Sequence, residues 1–173
     1  MVDLRIKKVL VSEVNLLQNI AKETFVESFA EFNTLEDMEI YIEKEFSSEK
    51  LTQAIQHLDV GFYFAMIGSN VLGYMRINSG QSQTDINDEN SLEIERIYIL
   101  KKYQSKKVGQ KLLNKALEIA KKKKNNFLWL GVWENNFGAI NFYKSHEFQE
   151  FGTHVFKLGS DEQTDLLMKF VIR

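Results

Sequence analysis

Two glutamates, Glu93 and Glu95, stand two residues apart in the alternating run Leu92-Glu-Ile-Glu-Arg-Ile-Tyr-Ile-Leu100. In an extended strand, residues two apart project from one face, so both carboxylates point the same way. If that face lines a cleft, one of them can act as a general base, directly or through a water. An amine that attacks a carbonyl needs such a base, because an ammonium has no lone pair until it loses a proton. The competing account is a pair of solvated strand carboxylates.

The run feeds a short basic loop, Lys101 to Lys107, and then a helical pattern with Gly109 in its first turn. A strand, a tight loop and a helix N-terminus together make an anion site, where unpaired N–H groups and the positive end of the helix dipole converge. Gln104, Ser105, Lys106, Lys107, Val108, Gly109 and Gln110 would set consecutive amides around a diphosphate. The loop is not a Walker A loop, since no Gly-x-x-x-x-Gly-Lys-Ser/Thr occurs, and a single glycine makes no dinucleotide fingerprint. The competing account is a plain strand-to-helix connection with solvated lysines.

A third group lies downstream. Asn136 at a helix start can cap that helix and hydrogen-bond an amide-bearing ligand. Tyr143 follows seven residues later on the same helical face, where its phenol could protonate a leaving thiolate or simply fill core. His57, His146 and His154 lack metal-ligand spacing and no cysteine assists them, so no metal site is expected. His154 could face the cleft from a late strand, or be a hydrogen-bonded strand histidine.

The elements that must carry these residues follow from periodicity. Leu4 and Ile6 predict a strand over about 3–9, with Ser12 as the cap of a helix over 13–30. Thr34 with Asp37 marks a second helix, and Ser48 starts a third. Residues 61–67 and 71–77 read as a hairpin around Gly68-Ser69-Asn70. Residues 79–91 are polar and predict a mobile loop or ragged strand edge. A strand over 92–100, a helix over 107–122 and a strand over 127–133 imply parallel pairing through a right-handed crossover. The lysines at 121–124 suit the negative helix end, and Asn125-Asn126 the left-handed cap. A helix from 135/136 and two antiparallel strands, 148–157 and 166–172, complete a mixed α/β class with a central sheet.

Composition narrows the function classes. The chain has 173 residues, 44% of them apolar and 27% charged. That suits one soluble domain, residues 1–173, with a sizeable core. A net charge of −2 speaks against duplex nucleic acid as the main partner. With no cysteine there is no disulfide framework and no thiol nucleophile. Neither a signal-peptide pattern nor a membrane-length apolar run is visible, so a cytoplasmic protein without membrane contact is expected.

Residues 92–113 resemble the acetyl-CoA-binding motif of the GNAT N-acetyltransferases: a strand, then Gln/Arg-x-x-Gly-x-Gly/Ala, then a helix. Here the loop reads Gln104-Ser105-Lys106-Lys107-Val108-Gly109. Downstream, Asn136-Phe-Gly-Ala139-Ile-Asn-Phe-Tyr143 is similar to the family's Asn-x-x-Ala-x-x-x-Tyr signature. The segment Thr24-Phe25-Val26-Glu27-Ser28-Phe29 and the tail from Gly152 through His154 and Asp165 to Met168 resemble the bacterial PaiA-like branch, linked to spermidine/spermine acetylation. Two glycines of the family pattern are replaced. Lys107 holds the first loop position and would have to adopt a backbone that glycine takes more cheaply. Glu147 precedes Phe148, which predicts an altered turn after the Tyr143 helix.

The resemblance implies the GNAT fold: a mixed, mostly antiparallel sheet of about six to seven strands, flanked by helices and splayed at its centre. It implies acetyl-CoA as the cofactor. Ile97, Tyr98 and Ile99 would pair their backbone with the pantetheine arm, and the amides of Ser105 to Gln110 would hold the pyrophosphate. Asn136 would contact the pantetheine arm and Tyr143 would be the general acid. Glu93 or Glu95 would be the base; register favours Glu95, while Glu93 sits where some relatives carry theirs. An acceptor pocket is expected between the helices at 25–45, the 79–91 loop and the final hairpin, with Phe25, Phe29, Tyr41, Trp133 and Glu134 as wall residues. The expected partners are a small-molecule amine, such as a polyamine, and a second copy in a homodimer. Two other classes compete: a non-catalytic CoA-binding sensor on the same fold, and an RNA-binding module using the Lys101–Lys124 basic stretch.

Overall fold

The structure is a computed structural model that describes residues 3–159 and 161–173. Its strands are β1 (Leu4–Lys8), β2 (Val60–Ile67), β3 (Asn70–Ser79), β4 (Ser91–Ile99), β5 (Phe127–Trp133), β6 (Gln149–Leu158) and β7 (Asp161–Val171). Its helices are α1 (Val14–Phe29), α2 (Leu35–Glu45), α3 (Ser48–Gln56), α4 (Val108–Lys122) and α5 (Phe137–Ser145). The strands form one sheet in the order β1-β2-β3-β4-β5-β7-β6. Among them only β4 and β5 run parallel, and α4 is their crossover. No helix among the described residues is long and apolar enough to cross a membrane.

Alternation splits the core in two. One face of β2–β5 sends Ala65, Met75, Ile77, Leu92 and Ile94 against the apolar stripe of α4 and against Ile140 and Tyr143 of α5. The other face packs Phe62, Phe64 and Tyr74 against Leu17, Ala21 and Phe25 of α1, Met38 of α2 and Leu51 of α3.

Helix starts follow the local chemistry, with small shifts. Thr34 Oγ1 accepts from Asp37 N at 3.2 Å. Ser48 begins α3 as expected, and Ser47 caps it, accepting from Lys50 N at 3.3 Å. Ser12 does not cap α1: it lies inside a 3-10 turn, Val11–Glu13, where the Glu13 side chain accepts from Leu10 N. The segment 79–91 leaves β3 through a 3-10 turn, Gly80–Ser82, and continues as a largely exposed loop, anchored by its single buried amide, Gln83, which fills all four of its hydrogen-bonding positions. Gln83 Nε2 donates to Gly80 O and Asp88 O, and its Oε1 accepts from Ser91 Oγ and Trp129 Nε1.

Four non-glycine residues take positive φ: Ser105 (60°), Lys107 (63°), Lys124 (60°) and Glu147 (66°). The left-handed cap of α4 is thus Lys124, not an asparagine. The turn after α5 is not altered by Glu147. Glu147 itself adopts the glycine-type conformation, while Phe148 N and His146 N close the helix end onto Tyr143 O at 3.1 and 3.0 Å. A Cβ in the left-handed region costs about 1–2 kcal/mol. Glu147→Gly should therefore raise the unfolding free energy by about 0.5–1 kcal/mol after the extra chain entropy of glycine is subtracted. Denaturant titration checks this. Lys107→Gly should show a gain of similar size.

Candidate active site

The site begins with a break in pairing. Across β3 and β4, Arg76 pairs with Arg96 and Ile77 pairs with Ile94, so Glu95 has no partner on β3. Glu95 is the extra residue of a β-bulge, which bends the strand and shifts its side-chain parity. Glu93, Glu95, Arg96 and Tyr98 consequently all face α1–α3, while Ile94 and Ile97 face α4. On its other side β4 pairs with β5 only over Ser91–Ile94 against Phe127–Leu130. Beyond Ile94 the strands part, and that edge of β4 over 95–99 has no strand partner. The gap opens into a cavity of about 1290 Å³.

On the α1–α3 side, the carboxylates are bound by one amide. Asn78, fully buried, donates Nδ2 to Glu93 Oε2 (3.0 Å) and to Glu95 Oε2 (2.6 Å), and accepts from Arg76 Nε at 3.1 Å. Arg76 Nε also meets Glu95 Oε2 at 2.8 Å, and Arg96 Nη2 lies 3.4 Å from Glu95 Oε1. Arg96 reaches on to Glu45 of α2 at 3.5 Å and stacks on Phe46, 4.8 Å from the ring centre.

Glu93 is buried, only 2% exposed, and among the described residues it has no ion-pair partner. Its remaining contacts come from Thr84: N–H to Oε2 at 2.9 Å, and the hydroxyl to Oε1. Burial raises the Glu93 pKa above the usual glutamate value, and Glu95 adds to the rise; the donors from Thr84 and Asn78 offset this only in part.

On the α4–α5 side stand the residues expected to hold a cofactor. Asn136 caps α5, its Oδ1 accepting from Ala139 N at 3.1 Å, which leaves its NH₂ to donate to a ligand. Tyr143 is 6% exposed, lines the cavity, and burial pushes its phenol pKa well up. Ile97, Tyr98, Ile99, Gln104, Ser105, Lys107, Gly109 and Gln110 contribute to the wall. The side chains of Val108 and Lys106 lie outside the wall, Val108 in the core under α4 and the Lys106 ammonium at the Tyr103 ring at 5.4 Å, so any part they have in the loop is through their backbone amides. The Tyr98 ring packs near Phe29 and Tyr74, so its side chain belongs to the α1–α3 wall. Ser105 and Lys107 carry the loop through two left-handed residues, the backbone pattern that gathers N–H groups into an anion-binding concavity. The residues present fit a diphosphate there.

The expected acceptor pocket is brought together by α1, α2, the 79–91 segment and the final hairpin. Phe25 stacks on Tyr41 at 4.5 Å and tilts against Phe29 at 4.8 Å, and Trp133 meets Phe32 edge-on at 5.0 Å. Glu134 is not in this wall: it is exposed past the end of β5. Periodicity gave no sign of the wall's charged residues, because they come from separate elements. Asp37, Glu45, Asp85 and Asp165 join Glu93 and Glu95 around the cavity, against Lys44, Arg96, Lys157 and, at the loop end, Lys107. His154 faces the cavity, with Nδ1 3.1 Å from Asp85 Oδ2. Gly159 presses so closely on Asp37 that an added Cβ would lie 1.9 Å from its Oδ1, which roofs α2 with the hairpin tip. Among the described residues no group of three or more His, Cys, Asp or Glu side chains could hold a metal ion.

The model of the Acetyltransferase (GNAT) family matches residues 18–148. The "Uncharacterized N-acetyltransferase in pepI 3'region" of Lactobacillus delbrueckii subsp. lactis is 41% identical over 166 residues, 95% of this chain and 96% of that protein. A spermidine N(1)-acetyltransferase of Thermoplasma acidophilum is 27% identical over 150 residues, 84% and 88% of the two chains. The crystal structure of a PaiA N-acetyltransferase from Thermoplasma acidophilum, in complex with coenzyme A, superposes with a TM-score of 0.81 at 26% identity over 98% of this chain and 99% of that one. The chain belongs to the GNAT acetyltransferase family, and its relatives include the PaiA-like branch.

Gln83 is the anchor of the segment that reaches Glu93. Gln83→Ala would leave the buried Trp129 indole N–H without its acceptor, at a cost of about 2–3 kcal/mol in unfolding free energy. Amide exchange over residues 80–90 should accelerate in that variant while exchange in α4 stays slow.

Proposed function

We propose that the chain, as one domain, transfers the acetyl group of acetyl-CoA to a primary amine of a small cationic molecule, with a linear polyamine as the favoured acceptor. Both substrates are bound together and the amine attacks directly. The observation that carries this is that Glu93 and Glu95 from one face of the sheet and Tyr143 from the other line one cavity, where β4 and β5 part. The acidic excess around the acceptor cavity supports a cationic substrate, and its roofing by the β6–β7 tip favours a slender chain over a protein surface. The spermidine-acetylating relative supports the same substrate class.

Acetyl-CoA supplies the activated acetyl group. The Ser105–Gln110 loop receives its pyrophosphate, and the open edge of β4 offers backbone groups to the pantetheine arm and the thioester oxygen. The base is Glu93 in preference to Glu95. Protonating Glu95 would give up its ion pairs with Arg76 and Arg96, whereas Glu93 is free of guanidinium contacts and burial raises its affinity for a proton. Tyr143, its phenol kept protonated by burial, delivers a proton to the departing thiolate. A sensor without chemistry would have no need of a base and an acid aimed at one gap.

Calorimetry should show acetyl-CoA binding, weakened in Lys107→Gly. A thiol-release assay should show turnover with spermidine or spermine above that with amino acids and peptides; silence across all amines would return the chain to the sensor class. Glu93 must be ionised to act, so kcat/KM should fall on acidification at a pH above the ordinary glutamate value of 4.5. Glu93→Gln should remove that limb and lower kcat by roughly 10²-fold, whereas Glu95→Gln should keep it. Tyr143→Phe should lower kcat roughly 10-fold or more with unchanged affinity for acetyl-CoA.

A further inference from the structure

A buried base that takes a proton at every turnover must also return it to solvent. Glu93 is 2% exposed, and its described partners are three. Asn78 Nδ2 and Thr84 N are amide donors at 3.0 and 2.9 Å, and neither can accept a proton at neutral pH. The third is the Thr84 hydroxyl, on Oε1. A hydroxyl donates one hydrogen bond and accepts others, and of the two residues, which both line the cavity, Thr84 is the one exposed to water.

We propose that Thr84 is the proton relay of this site, carrying the proton taken up by Glu93 out to water. This rests on Glu93 being the base. The acceptor ammonium loses one N–H bond, directly or through a water, and Glu93 gains one O–H bond. The Thr84 hydroxyl, which donates to the ionised carboxylate, turns its O–H to water once Glu93 is protonated, and Glu93 Oε1 passes its proton to Thr84 Oγ as Thr84 passes its own to that water. The net product is one proton in solvent, and Glu93 is again a carboxylate.

The placement of Thr84 is built on both sides. Gln83, the preceding residue, is hooked to Trp129 Nε1 at 2.7 Å in the core. Asp85, the following residue, is held by His154 of β6 at 3.1 Å. Three consecutive residues thus bind β5, the base and the hairpin, and the middle one holds the only hydroxyl among the described contacts of Glu93.

The test compares Thr84→Val, which keeps shape and backbone N–H but removes the hydroxyl, with Thr84→Ser, which retains it, and with Thr84→Ala should the valine variant misfold. The assay follows thiol release with an amine acceptor at fixed pH and rising imidazole concentration. Thr84→Val is expected to lose roughly tenfold in kcat with an unchanged KM for acetyl-CoA, and to recover several-fold as imidazole takes the proton instead. Thr84→Ser and wild type should be insensitive to imidazole. Wild-type kcat in both Thr84→Val and Thr84→Ala, with Glu93→Gln crippled, overturns the relay alone. A loss in Thr84→Val that imidazole does not repair, or that Thr84→Ser shares, also overturns it and makes the residue structural. Wild-type kcat in Glu93→Gln overturns the base assignment beneath it.

Discussion

The site depends on β4 making room for one residue that β3 does not match. Glu95 enters as a bulge, and a bulge both bends a strand and reverses its alternation beyond that point. Without it Arg96 would face α4 and Tyr98 would leave the aromatic wall. The bend also takes β4 away from β5 after Ile94. A parallel pair held together over four residues and parted thereafter gives a sheet with a hole through its middle. Backbone groups of β4 beyond Ile94 lack a strand partner on that edge, where Ile99 O takes a side-chain donor from Gln104 Nε2 at 3.2 Å, and such an edge is costly unless water or a ligand satisfies it.

The hole concentrates charge as well as space. Glu93, Glu95, Arg76 and Arg96 are largely withdrawn from water, and each would be costly alone. Asn78 makes the group tolerable by donating to both carboxylates while accepting from Arg76. The two glutamates, chemically alike, end in different environments: one bracketed by guanidiniums, the other enclosed with amide and hydroxyl donors. Difference of environment, not of residue type, is what assigns roles to paired carboxylates.

Substitution of glycine in this chain shows what is negotiable. Lys107 and Glu147 keep left-handed backbones where the family pattern has glycine. The inference from Glu147 to an altered turn failed, because tertiary packing of Tyr143 and Phe148 fixes the turn and the side chain accepts the strain. Strain at Lys107 lies in the anion loop itself, where a lysine adds charge that glycine cannot.

The sequence by itself determined the element order, the β4–α4–β5 crossover, the caps at Thr34 and Asn136, and the shared face of Glu93 and Glu95. Those are local matters of periodicity, hydrogen-bonding side chains and a spacing of two. It also carried the family resemblance through the loop and the Asn136–Tyr143 segment. Only the tertiary structure decided which glutamate is enclosed, that the 79–91 segment is pinned through Gln83, that Thr84, Asp85, Asp165 and His154 line one cavity, and that Asn78 and Arg76 brace its glutamates from behind. These residues sit on different elements, so no window of sequence contains their relation. The exclusion of Glu134 and Val108 from the cavity wall has the same cause: a strand's end and a helix's inner face are directions in space, fixed only when the sheet twists, bulges and closes against its helices.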